Sequence, residues 1–327
     1  MHSISPVLRR LSRCAWAPGE TGARLDDVEA CALWGAVLDG ALPELELGAL
    51  LASLTIAGES PAELLGLHRA LAARQARFPA PLARRPIAIP LHGLVAGEEA
   101  FCVLLALFLR RFDVPVALHG SLDALQGPSA PWLLREFGVL PSATLADAER
   151  DLRACGTVFL PVQLLSPALG DLLALRTRLG STNAAHLAAH AMDPGAVGAV
   201  RLAMSVPGTA SARVADLLPA TGGEVLLMSW PAQASGCNFA FRPRITLLSA
   251  GGETALFEAE SVDRSHHAAF SATGRLVPWM RAVVARTVPA PPPLVDLAAA
   301  CVFAAGAAPD FARARAVVSL QAGRVAA

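Results

Sequence analysis

The stretch Asp39–Leu71, DGALPELELGALLASLTIAGESPAELLGLHRAL, decides the fold, because helix stops and starts alternate along it in a fixed order. A helix ends near Gly40, and Pro43 opens a second one whose apolar positions are Leu45, Leu50, Leu51 and Leu54. Gly58 closes that helix, since a residue without a Cβ takes a left-handed conformation at little cost. Ser60-Pro61 then supplies an N-cap followed by a proline whose missing N–H is not needed in the first turn. Glu63 stands three residues after the cap, at capping-box spacing. Residues 25 to about 78 therefore read as helices on short turns, a small bundle.

Working outward, Phe78-Pro-Ala-Pro81 with Arg84-Arg85-Pro86 forms a hinge into a different pattern. Ile87–Ile89 is a short strand, His92–Gly97 a loop, Glu98–Arg111 an apolar helix and Val114–Leu118 a second strand, which together make one βαβ unit of a parallel sheet. Trp132–Phe137 is a further helix and Val158–Pro161 a buried strand. Ser166-Pro167 caps a helix running to about Leu179, Gly180 stops it, and Ser181 or Thr182 caps the next, which carries His186 and His190. From Val200 the chain mixes strands and helices, with Val225–Met228 and Ile245–Leu248 the clearest strands. Pro289–Pro293 reads as a rigid linker before two last helices, Leu294–Ala305 and Asp310–Gln321. The class is α/β: an N-terminal helical bundle domain plus a larger, mostly parallel-sheet α/β domain.

The 327 residues are 54% hydrophobic and 17% charged, which favours a large buried core over disorder. All 27 basic residues are arginine, and the formal net charge is zero, so overall charge offers no argument for a nucleic-acid partner. Charge is nonetheless segregated: residues 25–64 are net −8, residues 65–115 net +4 and residues 264–327 net +5. Six cysteines lie far apart without a CxxC pair and read as reduced thiols of a cytoplasmic protein. The longest charge-free apolar run, Ala100–Leu109, falls well short of the roughly 20 residues that span a bilayer, so no membrane segment is expected. Arg9, Arg10 and Arg13, with no acid before Glu20, imitate a transit peptide.

The Gly58-Glu59-Ser60 turn between two helices resembles the N-terminal domain of the anthranilate phosphoribosyltransferase (glycosyl transferase family 3) family, and the resemblance runs on to the C-terminus. It implies a helical domain of residues 1–80, joined by helices from about 164–191, and an α/β phosphoribosyltransferase-like domain of residues 81–163 and 192–327. That family holds pyrophosphate on a Gly-Thr-Gly-Gly-Asp loop followed by an Asn-Ile-Ser-Thr helix start, where backbone N–H groups and the helix dipole favour an anion. Here the stretch is Pro90-Leu-His-Gly-Leu-Val-Ala-Gly97 followed by Glu98-Glu99, two carboxylates that satisfy the dipole themselves and repel a phosphate. The family's Lys-His-Gly-Asn is reduced to Leu118-His119-Gly120-Ser121. Its magnesium-binding Asp-Glu pair has no counterpart in Trp230–Arg242. Thr221-Gly-Gly-Glu224 imitates the missing loop at the wrong place, where a helix C-terminal turn accounts for the glycines.

His186 and His190 share a helix face, as two zinc ligands would, but no third ligand accompanies them. His266-His267 carries little information, and no Gly-x-Ser-x-Gly elbow is present. Neither a metal nor a cofactor is expected. The string Arg176-Thr-Arg178-Leu-Gly180 followed by Asn183 and His186 is most similar to the family's YbiB-type paralogues, which keep the transferase fold, lack its substrate motifs and bind nucleic acid as homodimers with little sequence preference. Glu44-Leu-Glu-Leu-Gly48, Phe159-Leu-Pro-Val162 and Ala299-Ala-Cys-Val302 agree with that group, whereas Thr182 stands where an arginine would be expected and Glu98-Glu99 bring negative charge.

The resemblance implies a nucleic-acid partner, single-stranded DNA or RNA, and dimerisation through the helical domain. Trp34, Leu38, Leu47, Leu50, Leu54 and Leu67 are the apolar residues that one small bundle is not expected to bury. The expected nucleic-acid site gathers Arg176, Arg178, Asn183, His186 and His119 in one groove. Arg176 and Arg178 are about 200° apart on their helix, so Arg176, on the apolar stripe over Leu172 and Leu169, is expected to line an interdomain cleft and Arg178 to reach out from its rim, both long enough to converge on one phosphate path. Two other classes stay open: a glycosyl or phosphoribosyl transferase of another substrate, and a protein-interaction scaffold.

Overall fold

A computed structural model describes residues 6–7, 9–11, 24–77, 83–123, 127–194, 198–234, 236–262, 270 and 274–322. Most of the expected hinge (78–82), Cys14, and His266 with His267 lie outside the described residues.

Helices α1 (Asp27–Leu38), α2 (Glu44–Ala57) and α3 (Pro61–Ala72) form where the stops and starts place them. Ser60 and Glu63 make the reciprocal capping box, with the Glu63 N–H donating to Ser60 Oγ at 3.2 Å and the Ser60 N–H to Glu63 Oε2 at 2.7 Å. Glu63 is buried and also accepts from Arg24 and the Leu25 N–H, so one carboxylate ties the chain's entry to the start of α3. Gly66 lets α1 and α3 touch, since a Cβ there would strike Ala30 and the backbone of Asp27 and Cys31. Leu45 departs from expectation and is 83% exposed. It lies nine residues before buried Leu54, half a turn out of phase with the inward stripe.

The bundle does not stop at its own three helices. Leu50, Leu51, Leu54 and Leu67 share one core with Leu169, Leu172 and Leu173 and with the alanine face of residues 184–189. The expectation that the bundle leaves such residues uncovered is corrected: Trp34, Leu38, Leu50, Leu54 and Leu67 are buried within the chain and Leu47 is half-buried, because the later helices return to cover them.

Strands β1 (Ile87–Leu91), β2 (Val116–Gly120), β3 (Thr157–Pro161), β4 (Val200–Ser205) and β5 (Glu224–Ser229) are parallel in the order β3-β2-β1-β4-β5. An antiparallel pair, β7 (Arg244–Ser249) and β8 (Gly252–Phe257), extends the sheet to seven strands, while β6 (Phe241–Arg242) and β9 (Glu260–Ser261) pair separately. His119 and Gly120 belong to β2, not to a loop beyond it. Helix α4 (Glu98–Leu109) is buried on every side, as an all-apolar helix must be, and a single 3-10 turn (Arg110–Phe112) follows it. Helix α5 (Ala130–Arg135) starts two residues earlier than the sequence suggests, at Ser129-Ala130-Pro131. The sequence reading passes over α6 (Leu145–Cys155), whose charged faces hide the two positions that bury it, Ala148 and Leu152.

After the one-turn helix α7 (Val162–Leu165), the helix expected over 167–179 is broken into α8 (Pro167–Ala174) and α9 (Arg176–Leu179). Thr177 Oγ1 takes the Ala174 carbonyl, and the Arg178 N–H turns to Leu175 O, a tighter i−3 bond that ends the regular ladder. Helix α10 (Ala184–Ala191) packs on α3 and β1, and α11 (Ala210–Thr221) ends in Gly222 and Gly223, both at positive φ, so these glycines do form a helix C-terminal turn. Helices α12 (Leu276–Val284), α13 (Pro292–Ala304) and α14 (Phe311–Ala322) close the fold. Pro292 and Pro293 lie in the first turn of α13, not in a linker. No helix among the described residues is long and apolar enough to cross a membrane.

Candidate functional site

Strand order reverses between β1 and β4, and in such sheets the crevice beyond the strands' carboxyl ends at the reversal is where ligands bind. The loop 92–97 fills that place. Two of its amides are already engaged: the Gly93 N–H donates to Glu98 Oε1 and the Val95 N–H to Glu98 Oε2 at 3.0 Å. The loop is also packed against the segment that follows β5, with the Cys237 N–H donating to Ala96 O at 2.8 Å. Gly97, at φ +80, leaves no room for a Cβ beside the Cys237 carbonyl.

Both carboxyls at the helix start are buried, which corrects the expectation of negative charge lining a groove. Burial pushes Glu98 up to about 8 even though backbone amides oppose it, and Glu99 up to about 7 against the Ala130 N–H and Arg176. Glu99 accepts the Ala130 N–H at 2.7 Å and so fixes the start of α5. At neutral pH Glu98 is largely a neutral acid.

Four histidines surround this point. His119 on β2 meets His92, with His119 Nδ1 and His92 Nε2 3.2 Å apart, and the His190 ring packs edge-on against His92 at 5.5 Å between centroids. His190 Nε2 lies 3.7 Å from Glu98 Oε1. Burial holds all four below the ordinary histidine range: His119 and His190 to about 3, His186 to about 4, and His92 well below 6.5. They are therefore neutral at pH 7. His92 Nδ1 and the Nε2 atoms of His119, His186 and His190 are buried without a hydrogen-bond partner among the described residues. Among the described residues, no group of three or more His, Cys, Asp or Glu side chains is arranged to hold a metal ion.

The crevice brings together four of the five residues singled out from the sequence and leaves out the fifth. Asn183 caps α10, its Oδ1 accepting from the Ala185 N–H at 2.9 Å and its Nδ2 donating to Leu172 O at 3.0 Å. Its own N–H donates to His186 Nδ1 at 3.3 Å. Arg176 is buried beside His186 and Glu99, and its Nη2 donates to Asp123 Oδ2 at 2.5 Å. Arg178 points away, exposed, toward Glu44 of α2 at 3.3 Å, on the rim of a groove of about 920 Å³ between α2 and α8. The expected convergence of the two guanidinium groups is thus corrected: their offset around α9 sends them to carboxylates on different elements. Sequence reasoning gave Glu98, Glu99 and His92 no part in such a cluster. Their signal was two acids opening a helix otherwise wholly apolar.

A helical bundle set against a parallel sheet with a crevice at its reversal point is the architecture of the family 3 glycosyl transferases. Residues 20–74 match the family model described as "Glycosyl transferase family, helical bundle domain". The crystal structure of anthranilate phosphoribosyltransferase from Thermus thermophilus superposes with a TM-score of 0.69 at 20% identity, covering 96% of this chain and 94% of that one. Over its length the chain is 30% identical to the uncharacterized protein YbiB of Escherichia coli K12, covering 89% of this chain and 92% of that protein. The anthranilate phosphoribosyltransferase of Methylocella silvestris is also 30% identical, but over only 55% of this chain and 49% of the enzyme. The chain belongs to the YbiB-type branch of the anthranilate phosphoribosyltransferase (glycosyl transferase family 3) family.

Proposed function

We propose that this protein binds nucleic acid with little regard to sequence, as a cytoplasmic homodimer, on a transferase fold that no longer handles phosphoribosyl diphosphate and magnesium. One observation carries the non-enzymatic part: the loop amides at the N-terminus of α4, the groups an anion would need, are held by the chain's own Glu98. Arg176, the arginine that the described residues place in the crevice, is buried and paired with Asp123. Neutral histidines, the largely protonated Glu98 and the raised Glu99 make up the rest.

The sequence likeness to YbiB-type paralogues and the segregation of charge along the chain, with residues 25–64 at net −8 and residues 264–327 at net +5, support the binding part. Arginines neutralise phosphates without reading bases, so affinity falls steeply with salt. Free cysteine thiols at Cys31, Cys102, Cys155, Cys237 and Cys301 suit a reducing compartment. Self-association is assigned to exposed apolar residues of the helical bundle, Val28, Leu45 and Ile56.

Titration of the protein against a labelled single-stranded oligonucleotide at two salt concentrations tests the reading. Binding that weakens as salt rises supports it. No binding at low salt overturns it.

A further inference from the structure

The two arginine-rich segments of the sequence meet in space, at the end of the sheet opposite the crevice. There the amino ends of β1, β2 and β3 lie beside the carboxyl ends of α4, α6 and α12. Arg111 reaches from the 3-10 turn to the last carbonyls of α12, donating through Nη2 to Val283 O at 2.8 Å and Val284 O at 2.6 Å, close enough to Arg286 that the two charges oppose each other. Arg84 donates through Nη1 to Phe112 O at 2.5 Å and Asp113 O at 3.2 Å, and Arg110 donates through Nε to Thr157 Oγ1 at 3.0 Å. Arg84, Arg110 and Arg153 border a cavity of about 590 Å³ whose one acidic side chain is Asp113.

Helix C-termini favour cations, so capping alone would account for arginines here. Two features go beyond capping. On the helical bundle, Arg24, Arg69 and Arg74 each pair with a carboxylate; at this edge Arg153 pairs with Glu149 one turn back on its own helix, at 2.6 Å, whereas among the described residues none of Arg84, Arg110, Arg111 and Arg286 has a carboxylate partner. Arg110 and Arg111 are also half-buried, where charge is costly, and among the described residues neither has a carboxylate ion-pair partner. Each of these bonds engages only part of a guanidinium's five N–H donors, and Arg111 is further fixed by lying over the Phe108 ring at 4.6 Å.

We propose that this edge of the sheet, and not the crevice, receives the phosphate backbone of the nucleic acid, with Arg84, Arg110 and Arg153 around the cavity and Arg111 and Arg286 continuing the path. The assignment rests on the nucleic-acid reading above and adds its location.

The test uses exposed residues that cap nothing among the described residues: an Arg153→Gln/Arg286→Gln double variant, its Lys/Lys counterpart, and Arg69→Gln/Arg74→Gln as a control of equal net charge. Each is titrated with a fluorescein-labelled single-stranded oligothymidine of about 20 nucleotides across a salt series, with the fold checked by circular dichroism. Loss of two phosphate contacts should lower the slope of log affinity against log salt by about 1.4, with roughly tenfold weaker binding at low salt, while the lysine pair and the control keep the wild-type slope. A wild-type protein that binds, with an unchanged slope in the Arg153/Arg286 variant or an equal loss in the control, overturns the location and leaves the nucleic-acid reading standing. A wild-type protein that does not bind overturns both.

Discussion

The Glu98 carboxyl accepts the backbone N–H of Val95 at 3.0 Å, folding the first side chain of α4 back onto the loop that precedes it. A helix N-terminus after a strand ordinarily offers its amides to a ligand. Here the acceptor is part of the chain, and the loop, the helix start and the segment at Cys237 become one packed unit.

Removing that acceptor should therefore cost stability. Glu98→Ala strips the amides of half-buried Gly93 and buried Val95 of their partner and should destabilise the protein by about 2–4 kcal/mol, the sum expected for two stranded donors. Glu98→Gln keeps one acceptor oxygen at nearly the same volume and should lose less, about 1–2 kcal/mol. Denaturant unfolding of both variants measures this. Losses below about 0.5 kcal/mol in each would show that the amides find other partners.

Stability should peak near neutral pH and fall on both sides for different reasons. Burial holds His68, His92, His119, His186 and His190 below 6.5, so the unfolded chain binds protons that the folded one refuses, and stability is lost as pH falls below that value. Glu98 and Glu99 are raised from 4.5 to about 8 and about 7, so their contribution is complete below 4.5 and is lost as pH rises to those values. Five histidines outweigh two carboxyls on the acid side, giving a net uptake on unfolding of about three protons near pH 5.5. Chemical unfolding from pH 5 to 9 checks the shape. A flat profile between 5 and 7 would mean that the histidines are solvated.

The helices and strands were legible wherever local chemistry speaks: Ser60-Pro61 with Glu63, the apolar run of α4 after its two opening glutamates, and Gly222-Gly223 after α11. What escaped depended on long-range placement. The sequence shows Arg176 and Arg178 two residues apart, but only the fold sets Asp123 beside one and Glu44 beside the other. Glu98 and Glu99 read as surface charges because nothing local announces that the whole of α4 is enclosed. Trp34 and Leu54 looked uncovered because the helices that bury them come more than a hundred residues later.

The proposed dimer makes a separate prediction at Leu45. This side chain is 83% exposed at the start of α2, so Leu45→Glu should alter folding stability by less than about 0.5 kcal/mol. If the helical bundle is the self-association surface, the same change should turn a dimer into a monomer at micromolar concentration by sedimentation velocity. A variant that remains fully dimeric places the interface elsewhere. A monomeric wild-type protein removes the dimer altogether.

Phosphoribosyl transfer to anthranilate should be undetectable, and the reasons are independent enough that one repair would not restore it. The amides that would hold a pyrophosphate are occupied by Glu98, and the Leu118–Gly120 stretch is buried within β2, where it supplies neutral His119 in place of a cation. Trp230–Arg242 contains no carboxylate to hold magnesium, and the buried Arg176 already has Asp123 as its counter-ion. A coupled assay with phosphoribosyl diphosphate, anthranilate and magnesium should give the rate of the blank, and the diphosphate should not raise the melting temperature. Magnesium-dependent turnover that is lost on Arg176→Ala would show instead that the crevice is a working active site. Glu98 would then have to leave the loop amides when substrate arrives, which the weakened binding of Gly93 and Val95 to their own chain would make visible as faster amide exchange in the presence of the diphosphate.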